Sequence, residues 1–260
     1  MDRDIVLEGL SQLVGVTVKA HTGGSNTMLR SAVSGGPSPN MLTVEKLLSA
    51  VYFPAEFWEE NNYNKVGLRS MPSSHNDLFV MADDFFDPRF DYDFTYIRDT
   101  TTFMRGNEVY KRPCGWMRFA LKVLNKYTDG NAWLGQPGYR THSDPNEWPV
   151  SYHGTSLNAA QSIISNHYKP GGGQTYGRGV YSTPDVDIAE QHGYAKIFVS
   201  QKNGRTYKVC LQNRINPRVR QVFNGGLYWL IPVAAGTPPY LESQIVMGSI
   251  RPYSLLLKQV

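Results

Sequence analysis

The spacing of apolar residues changes along the chain, from helical in the first half to strand-like in the second. Residues 5–18 have apolar side chains every three to four positions and predict a helix capped by Asp4. Residues 43–51 and 117–127 follow the same period and predict two further helices. The segment 21–39 is rich in Gly, Ser, Asn and Pro, and it predicts a loop after the first helix.

From residue 150 onwards, short runs of β-branched and aromatic residues alternate with turn residues. Strands are predicted at 150–155, 179–183, 197–200, 206–211, 227–233, 244–247 and 253–257. Asn203-Gly204 is a hairpin signal between two of them, and helical stretches at 158–166 and 187–191 interrupt the series. The pattern predicts an α+β fold. An α-rich N-terminal extension, 1–104, precedes a domain spanning 105–260 whose core is 150–260.

Composition narrows the class of protein. A chain of 260 residues with 41% hydrophobic content can bury a core, and a net charge of +4 allows a nucleic-acid partner without demanding one. The first residues lack the apolar stretch of a signal peptide, and no apolar run approaches the roughly 20 residues of a membrane helix. We therefore expect an intracellular protein, in the cytoplasm or nucleus, without membrane contact. The two cysteines, Cys114 and Cys210, fit no zinc pattern, so we expect no metal.

Two motifs carry candidate chemistry. In Tyr152-His153-Gly154-Thr155 a predicted strand ends in a histidine, and the glycine after it lets a ligand approach the backbone closely. Residues 171–184 then form a glycine-rich loop that runs into the strand 179–183. This loop is not the phosphate loop of NTPases, because no Lys-Ser/Thr follows its last glycine. It is not a Rossmann fingerprint either, because it precedes a strand rather than a helix.

In this order the elements resemble the ADP-ribosyltransferase superfamily, in particular its diphtheria-toxin and poly(ADP-ribose) polymerase branch. That branch has His-Gly-Ser/Thr, a helix, a glycine-rich donor loop, Gly-x-Gly-x-Tyr, a helix of small residues, and a strand bearing a third residue, usually Glu. The chain supplies Gly177-Arg178-Gly179-Val180-Tyr181 at the fourth place, and the order agrees over about the last 110 residues. The resemblance implies the split mixed or antiparallel β-sheets and short helices of that family. It also implies NAD⁺ as co-substrate, with no metal.

The resemblance assigns NAD⁺ contacts to the first motif and to the Gly-x-Gly-x-Tyr segment. His153 would hydrogen-bond the adenosine ribose, and the Gly154 backbone would hold the nicotinamide carboxamide with Thr155 beside it. Tyr181 would line the pocket of the nicotinamide ribose.

Further contacts are expected around the glycine-rich loop and the helix that follows it. A second aromatic residue would cover the nicotinamide ring, either Tyr194, which offers the better stacking surface, or His192. Tyr176 and Gly179 complete the candidate NAD⁺ contacts.

The third position departs from the family pattern. Aligned on Ile245-Val246, the usual Glu is replaced by Gln244, or by Ser243 after a shift of one residue. Glu242 would share a strand face with Gln244. The family's Glu accepts a hydrogen bond from the nicotinamide-ribose hydroxyl, and its charge stabilises the oxocarbenium-like centre. Gln244 can do the first, and Glu242 would supply charge from the flank, so both join His153 and Tyr181 as candidate catalytic residues.

The missing Glu argues against polymer synthesis. The sequence therefore predicts a mono-ADP-ribosyltransferase that passes ADP-ribose to a protein or nucleic-acid acceptor and releases nicotinamide. The alternative is a catalytically inactive module of the same fold that binds NAD⁺, ADP-ribose or a protein partner. Arg214, Arg218 and Arg220 either contact the phosphates of a nucleic-acid acceptor or form a solvated loop after a strand.

Overall fold

The computed structural model describes residues 1–15, 17–20, 41–44, 47, 78–81, 84–138, 140–153, 176–191 and 194–260. Over these residues the chain mixes α and β structure, with mostly antiparallel sheets and few helices. The α+β class predicted from the sequence is confirmed at this level.

Strands outnumber helices among the described residues. The helices are α1 (Arg3–Val14), α2 (Val186–Gln191) and α3 (Pro239–Ser249). The strands are β1 (Thr17–Lys19), β2 (Met41–Leu42), β3 (Leu78–Met81), β4 (Tyr92–Asp93), β5 (Met104–Arg105), β6 (Glu108–Val109), β7 (Met117–Ala120), β8 (Val150–His153), β9 (Gly179–Ser182), β10 (Lys196–Val199), β11 (Thr206–Ile215), β12 (Gln221–Phe223), β13 (Tyr228–Pro232) and β14 (Ile250–Gln259).

The largest sheet has six strands, in the order β10-β11-β14-β7-β4, with β8 also paired to β11. All of its pairings are antiparallel. The long strand β11 pairs with β10 over 206–209 and with β8 over 211–214, so two short strands share one of its edges. This arrangement places the end of β8 at the border of the sheet.

Both faces of the six-stranded sheet are covered. Leu255 and Leu257 of β14 belong to the larger apolar cluster, which includes residues of α1, whereas Leu256 packs with Trp116 and Tyr152 in a second cluster. All three leucines are 0% exposed. Because successive side chains of a strand point to opposite faces, this burial shows packing on each side of β14.

The N-terminal part contains one full helix beside a small parallel sheet. Helix α1 begins at the cap Asp2, whose carboxylate accepts from the N–H of Asp4, and it ends at Gly15 in a left-handed conformation. The cap is therefore two residues earlier than predicted. Strands β1, β3 and β2 pair in parallel. The α-rich character expected of 1–104 is not confirmed by its described residues. The loop 21–39 lies outside them, as does most of the helix predicted at 43–51.

Helix α1 packs closely on the six-stranded sheet at Gly9. A Cβ atom at this position would lie 3.1 Å from Leu257 Cδ2, 3.3 Å from Val209 Cγ2 and 3.7 Å from Phe198 Cε1. The space for a larger side chain is therefore filled already by the sheet.

Replacing Gly9 by leucine is expected to lower the free energy of unfolding by about 1–3 kcal/mol, because the added atoms overpack this contact. Gly248→Leu is the matched control, since a Cβ on this residue of α3 meets no described atom within 4 Å. That control should be neutral or slightly stabilising because Leu favours helix over Gly. Chemical denaturation measures both variants, and equal unfolding midpoints would contradict the packing described.

For two segments, the predicted type of secondary structure is wrong. The segment 117–127, predicted as a helix, forms β7 and then turns, because β7 pairs with β14 from Met117↔Leu257 to Ala120↔Ser254. The segment 244–247, predicted as a strand, lies within α3. Pro238 is extended and Pro239 is at the start of this helix, where its fixed φ suits the first turn.

The other strand predictions after residue 150 that fall on described residues are confirmed within a few residues. The Asn203-Gly204 signal marks the turn between β10 and β11, in which Ser200 N donates to Arg205 O at 2.9 Å.

None of the helices in the described ranges combines the length and apolarity needed to cross a membrane.

Candidate functional site

A cleft lies where β8 and β9 separate. One bridge joins these strands: Tyr152 N donates to Thr183 O at 2.7 Å, and Thr183 N donates to Tyr152 O at 3.1 Å. Strand β8 belongs to the six-stranded sheet, and β9 belongs to a three-stranded sheet of order β12-β13-β9, so the two sheets part at this point. The cleft is lined by Tyr152, His153, Tyr181, Ser182, Thr183, Tyr194 and Tyr228. It therefore brings together His153, Tyr181 and Tyr194, three of the residues predicted to contact NAD⁺.

His153 is the last residue of β8 and is 3% exposed. Its Nδ1 lies 2.7 Å from the carbonyl oxygen of Tyr181. Because a carbonyl oxygen only accepts, Nδ1 carries a proton, and in the neutral form of the ring Nε2 is then an acceptor. A histidine in this tautomer can accept a hydrogen bond from a sugar hydroxyl.

Tyr181 lies in the middle of β9 and is 5% exposed. Its hydroxyl donates to the carbonyl oxygen of Gly177 at 2.6 Å. Burial raises the pKa of the Tyr181 phenol, so the ring stays neutral at physiological pH. The side chain therefore presents a fixed, uncharged surface to the cleft.

Gly179, at the start of β9, has a packing reason to be glycine. Its φ is 155°, and a Cβ atom there would lie 2.0 Å from the carbonyl oxygen of Ile231 on β13. The close approach of these two strands therefore excludes any side chain at position 179. A contact between Gly179 and NAD⁺ stays a prediction.

Aromatic side chains line part of the cleft and continue beyond it. Tyr194 and Tyr228 meet edge to face, with ring centroids 6.4 Å apart. Tyr176 stacks on Phe223 at 4.5 Å, and its centroid lies 6.2 Å from that of Tyr228. The volume of the cleft is about 10 Å³, which is room for about one water molecule. A nicotinamide ring needs more space than this.

Ser182 and Tyr228 are cleft residues that the sequence did not reveal. Ser182 is 5% exposed, and its hydroxyl has no hydrogen-bond partner among the described residues. A buried hydroxyl left in this way is costly, and a polar ligand group would relieve it. In the sequence, Ser182 directly follows Tyr181. Because successive side chains of a strand point to opposite faces, this position suggested that Ser182 would face away from the cleft. Tyr228 belongs to a predicted strand without a motif.

A buried hydrogen-bond network holds the β8 wall of the cleft. The Tyr152 hydroxyl donates to the carbonyl oxygen of Lys111. Gln212 of β11 donates through Nε2 to the Tyr110 hydroxyl at 2.9 Å, and its Oε1 accepts from Ser254 Oγ at 2.8 Å. Burial raises the pKa of Tyr152 well above its usual range, so its hydroxyl keeps the proton that it donates.

The predicted third catalytic position does not reach the cleft. Gln244 is exposed on α3, whereas Glu242 is 3% exposed and forms an ion pair with Arg178. Residues two apart on a helix lie on different sides, so the prediction that Glu242 and Gln244 share one face is wrong. Neither residue lines the cleft, and Ser243 does not line it either. The geometry gives no support to the catalytic roles predicted for Gln244 and Glu242.

Several predicted site residues and elements lie outside the described residues. The residues are Gly154, Thr155 and His192, and the elements are the helix at 158–166 and the first part of the glycine-rich loop. Their roles stay predictions.

The basic stretch after β11 does not form one surface. Arg214 is 5% exposed and pairs with Glu147 at 3.0 Å. Arg220 pairs with Glu108 and lies 3.7 Å above the ring of Trp229, and burial lowers the pKa of its guanidinium to about 10. Of the three arginines, Arg218 alone is exposed. The three residues therefore do not form one exposed surface for nucleic-acid phosphates, and of the three only Arg218 is exposed in the loop that follows the strand.

Within the described ranges, no group of three His, Cys, Asp or Glu side chains is placed to hold a metal ion. Comparison of the sequence with models of known protein families finds no match, and comparison with curated proteins finds none.

Proposed function

We propose that this protein is an NAD⁺-dependent mono-ADP-ribosyltransferase that transfers ADP-ribose to a protein or nucleic-acid acceptor. The observation that carries the proposal is the contact between His153 and Tyr181 at the point where β8 and β9 part. The resemblance to the ADP-ribosyltransferase superfamily predicts that these two residues lie together at one NAD⁺ pocket. Two sheets that separate beside them are consistent with the split-sheet architecture that the resemblance implies.

In the proposed complex, Nε2 of His153 accepts a hydrogen bond from a ribose hydroxyl of NAD⁺. The nicotinamide ring lies among Tyr181, Tyr194 and Tyr228, and its carboxamide reaches the unsatisfied hydroxyl of Ser182. The bond between C1′ of the ribose and N1 of nicotinamide then breaks, and neutral nicotinamide leaves with the bonding electrons. A nucleophile of the acceptor forms a bond to C1′ and gives its proton to solvent.

One observation favours a second candidate, a module that binds NAD⁺, ADP-ribose or a protein partner without catalysis. No carboxylate lines the cleft among the described residues, and the charge of Glu242 is paired with Arg178. A positively charged centre at C1′ would therefore lack the electrostatic stabilisation that usually supplies the largest part of such catalysis.

Incubation with NAD⁺ separates the two candidates. The transferase should release nicotinamide, measured by chromatography, and NAD⁺ labelled in its adenylate part should leave label on the protein or an added acceptor. NAD⁺ binding by calorimetry with no nicotinamide release at high protein concentration would leave the non-catalytic module. Absence of both binding and release would reject the cleft as an NAD⁺ site.

The position of Gln244 yields a direct prediction. Because Gln244 is exposed on α3 and is not part of the cleft lining, Gln244→Ala is expected to keep NAD⁺ affinity and nicotinamide release within about twofold of the unchanged protein. Calorimetry and the release assay measure these quantities. A loss of release with an unchanged melting temperature would restore Gln244 to the catalytic role predicted from the sequence.

A further inference from the structure

A second and much larger cavity, of about 570 Å³, lies beside the β4–β7 edge of the six-stranded sheet. Its walls come from β4, β7, the segments 87–91, 103–112, 121–124 and 134–138, Arg140, and single residues of β11 and β14. None of the residues predicted to contact NAD⁺ lines it. Its volume is within the usual range of small-molecule sites, roughly 300–1,000 Å³.

Arginines and aromatic rings together form much of the lining of this cavity. Among the described residues, six arginines and six Phe or Tyr side chains line it. The guanidinium of Arg112 lies 3.9 Å from the ring centre of Phe103, and that of Arg118 lies 5.5 Å from Phe94 and 5.8 Å from Tyr92. Such stacking fixes each guanidinium plane and leaves its N–H edge for an acceptor.

Five of the six arginines have carboxylate partners. Arg105, Arg140 and Arg214 contact Glu147. Arg112 pairs with Asp99, and Arg89 pairs with Asp87.

Arg118 differs from these five, because it forms no ion pair within the described part of the chain. Its Nη2 donates to the carbonyl oxygen of Phe90 at 2.9 Å, and its Nε is buried without a partner there. Asp91 also lines the cavity and attracts Arg118 electrostatically without a direct ion pair, although its Oδ1 accepts from Ala120 N at 2.7 Å and burial raises the pKa of its carboxyl. A half-buried guanidinium that no described carboxylate contacts directly is stabilised further by an anion from outside.

We propose that this cavity binds a nucleoside monophosphate unit, with its phosphate on Arg118 and its base stacked among Tyr92, Phe94 and Phe103. The fork of a guanidinium matches phosphate oxygens, and aromatic rings stack on any nucleobase. The unit is either a free nucleotide or the phosphorylated end of a nucleic-acid strand. The site is independent of the NAD⁺ cleft.

Titration calorimetry with uridine 5′-monophosphate tests the proposal, since a pyrimidine nucleotide is not part of NAD⁺. Uridine and inorganic phosphate each lack one half of the ligand, so each should bind at least about tenfold more weakly. Binding of uridine 5′-monophosphate no tighter than that of phosphate alone would overturn the proposal.

Matched substitutions locate the phosphate. Arg118→Met should weaken binding by about tenfold or more, because it removes the unpaired guanidinium and keeps most of the side-chain volume. Arg98→Met removes the same charge from an exposed position outside the cavity, and its affinity should stay within about twofold. Equal affinity of the Arg118→Met and Arg98→Met variants would reject Arg118 as the phosphate site and overturn the proposal.

A second pair of variants locates the base and does not depend on the folding of the first. Tyr92 is 43% exposed, and Tyr92→Ala should weaken binding of uridine 5′-monophosphate by about fivefold or more. Tyr96 is 93% exposed and does not line the cavity, so Tyr96→Ala is its control. Unchanged affinity after Tyr92→Ala would remove the base from this wall and count against the proposal. Circular dichroism and melting temperature check that each variant is folded.

A final comparison distinguishes the two sources of the ligand. Short single-stranded oligouridylates, with a 5′-phosphate or a 5′-hydroxyl, are titrated beside the free nucleotide. Tighter binding of the phosphorylated strand than of the nucleotide supports the proposal and assigns a strand end as the ligand. Tighter binding of the nucleotide supports it and assigns the free form. If the two oligonucleotides bind equally and both bind more tightly than the nucleotide, the proposal is overturned. The protein would then bind the strand backbone rather than a terminal phosphate.

Discussion

Replacing Glu147 by glutamine is expected to lower the free energy of unfolding by about 3–5 kcal/mol, because it removes the one negative charge shared by three arginines. The side chain of Glu147 is 0% exposed. Its Oε1 lies 2.5 Å from Arg140 Nη2, 3.0 Å from Arg214 Nη1 and 3.5 Å from Arg105 Nε. Glutamine has the same shape, but its amide N–H group would face guanidinium donors, and the arginine charges would lose their common partner.

Urea unfolding followed by tryptophan fluorescence measures the loss, since Trp133 and Trp148 lie in the same part of the fold. Asp84→Asn is the control. Its carboxylate is 69% exposed and 3.9 Å from Lys122, so its removal should change the unfolding free energy by no more than about 0.5 kcal/mol. A shift of the Glu147→Gln midpoint as small as that of the control would show that the cluster does not hold the fold together.

This cluster illustrates why part of the structure was beyond prediction from the sequence. Arg105, Arg140 and Arg214 are far apart in the chain, and each lies in a segment without a motif. Only the approach of β11 to the segments 103–112, 134–138 and 140–147 places them around one carboxylate. The role of Arg118 is unpredictable from the sequence for the same reason, because the fold decides whether a carboxylate lies within ion-pair distance of its guanidinium.

Secondary structure was predictable where the signal was local. Asn203-Gly204 specifies a tight turn by its own backbone preferences, so the β10–β11 hairpin was foreseen. For β7, alternate residues such as Met117 and Phe119 satisfy a strand as well as a helix, and only the distant strand β14 decides between them. Helix α3 was missed despite a local signal, because Pro238-Pro239 marks a helix start that the Ile-Val pair of the predicted strand obscured.

At the candidate site, the order of the motifs predicted that His153 and Tyr181 lie together. The alignment of the third motif position on Gln244 did not predict a residue that lines the cleft. His153 ends one strand and Tyr181 lies within another, and the structure joins them through one hydrogen bond. The placement of Glu242 depends on Arg178, which precedes β9 and attracts the carboxylate towards the start of that strand. An ion pair of this kind requires two elements to be positioned first, so the sequence could not supply it.

Removing the Nε2 acceptor of His153 is expected to weaken NAD⁺ binding by about tenfold or more, if the cleft is the proposed NAD⁺ site. His153→Ala removes both ring nitrogens and therefore also the contact from Nδ1 to the Tyr181 carbonyl, 2.7 Å away. His153→Asn is the sharper variant, because its amide N–H group can keep a donor near the Nδ1 position while nothing reaches the Nε2 position. Both variants should lose nicotinamide release together with affinity.

Calorimetric titration with NAD⁺, beside the melting temperature of each variant, separates loss of the ligand contact from loss of structure. His142 is exposed and lies outside the cleft, so His142→Ala controls for removal of a histidine and should bind NAD⁺ like the unchanged protein. If His153→Asn keeps its melting temperature and loses affinity while His153→Ala loses both, Nδ1 holds β8 to β9 and Nε2 holds the ligand. If His153→Asn binds NAD⁺ as tightly as His142→Ala does, the ribose does not contact Nε2. The proposed NAD⁺ pocket between the two sheets would then have to be abandoned.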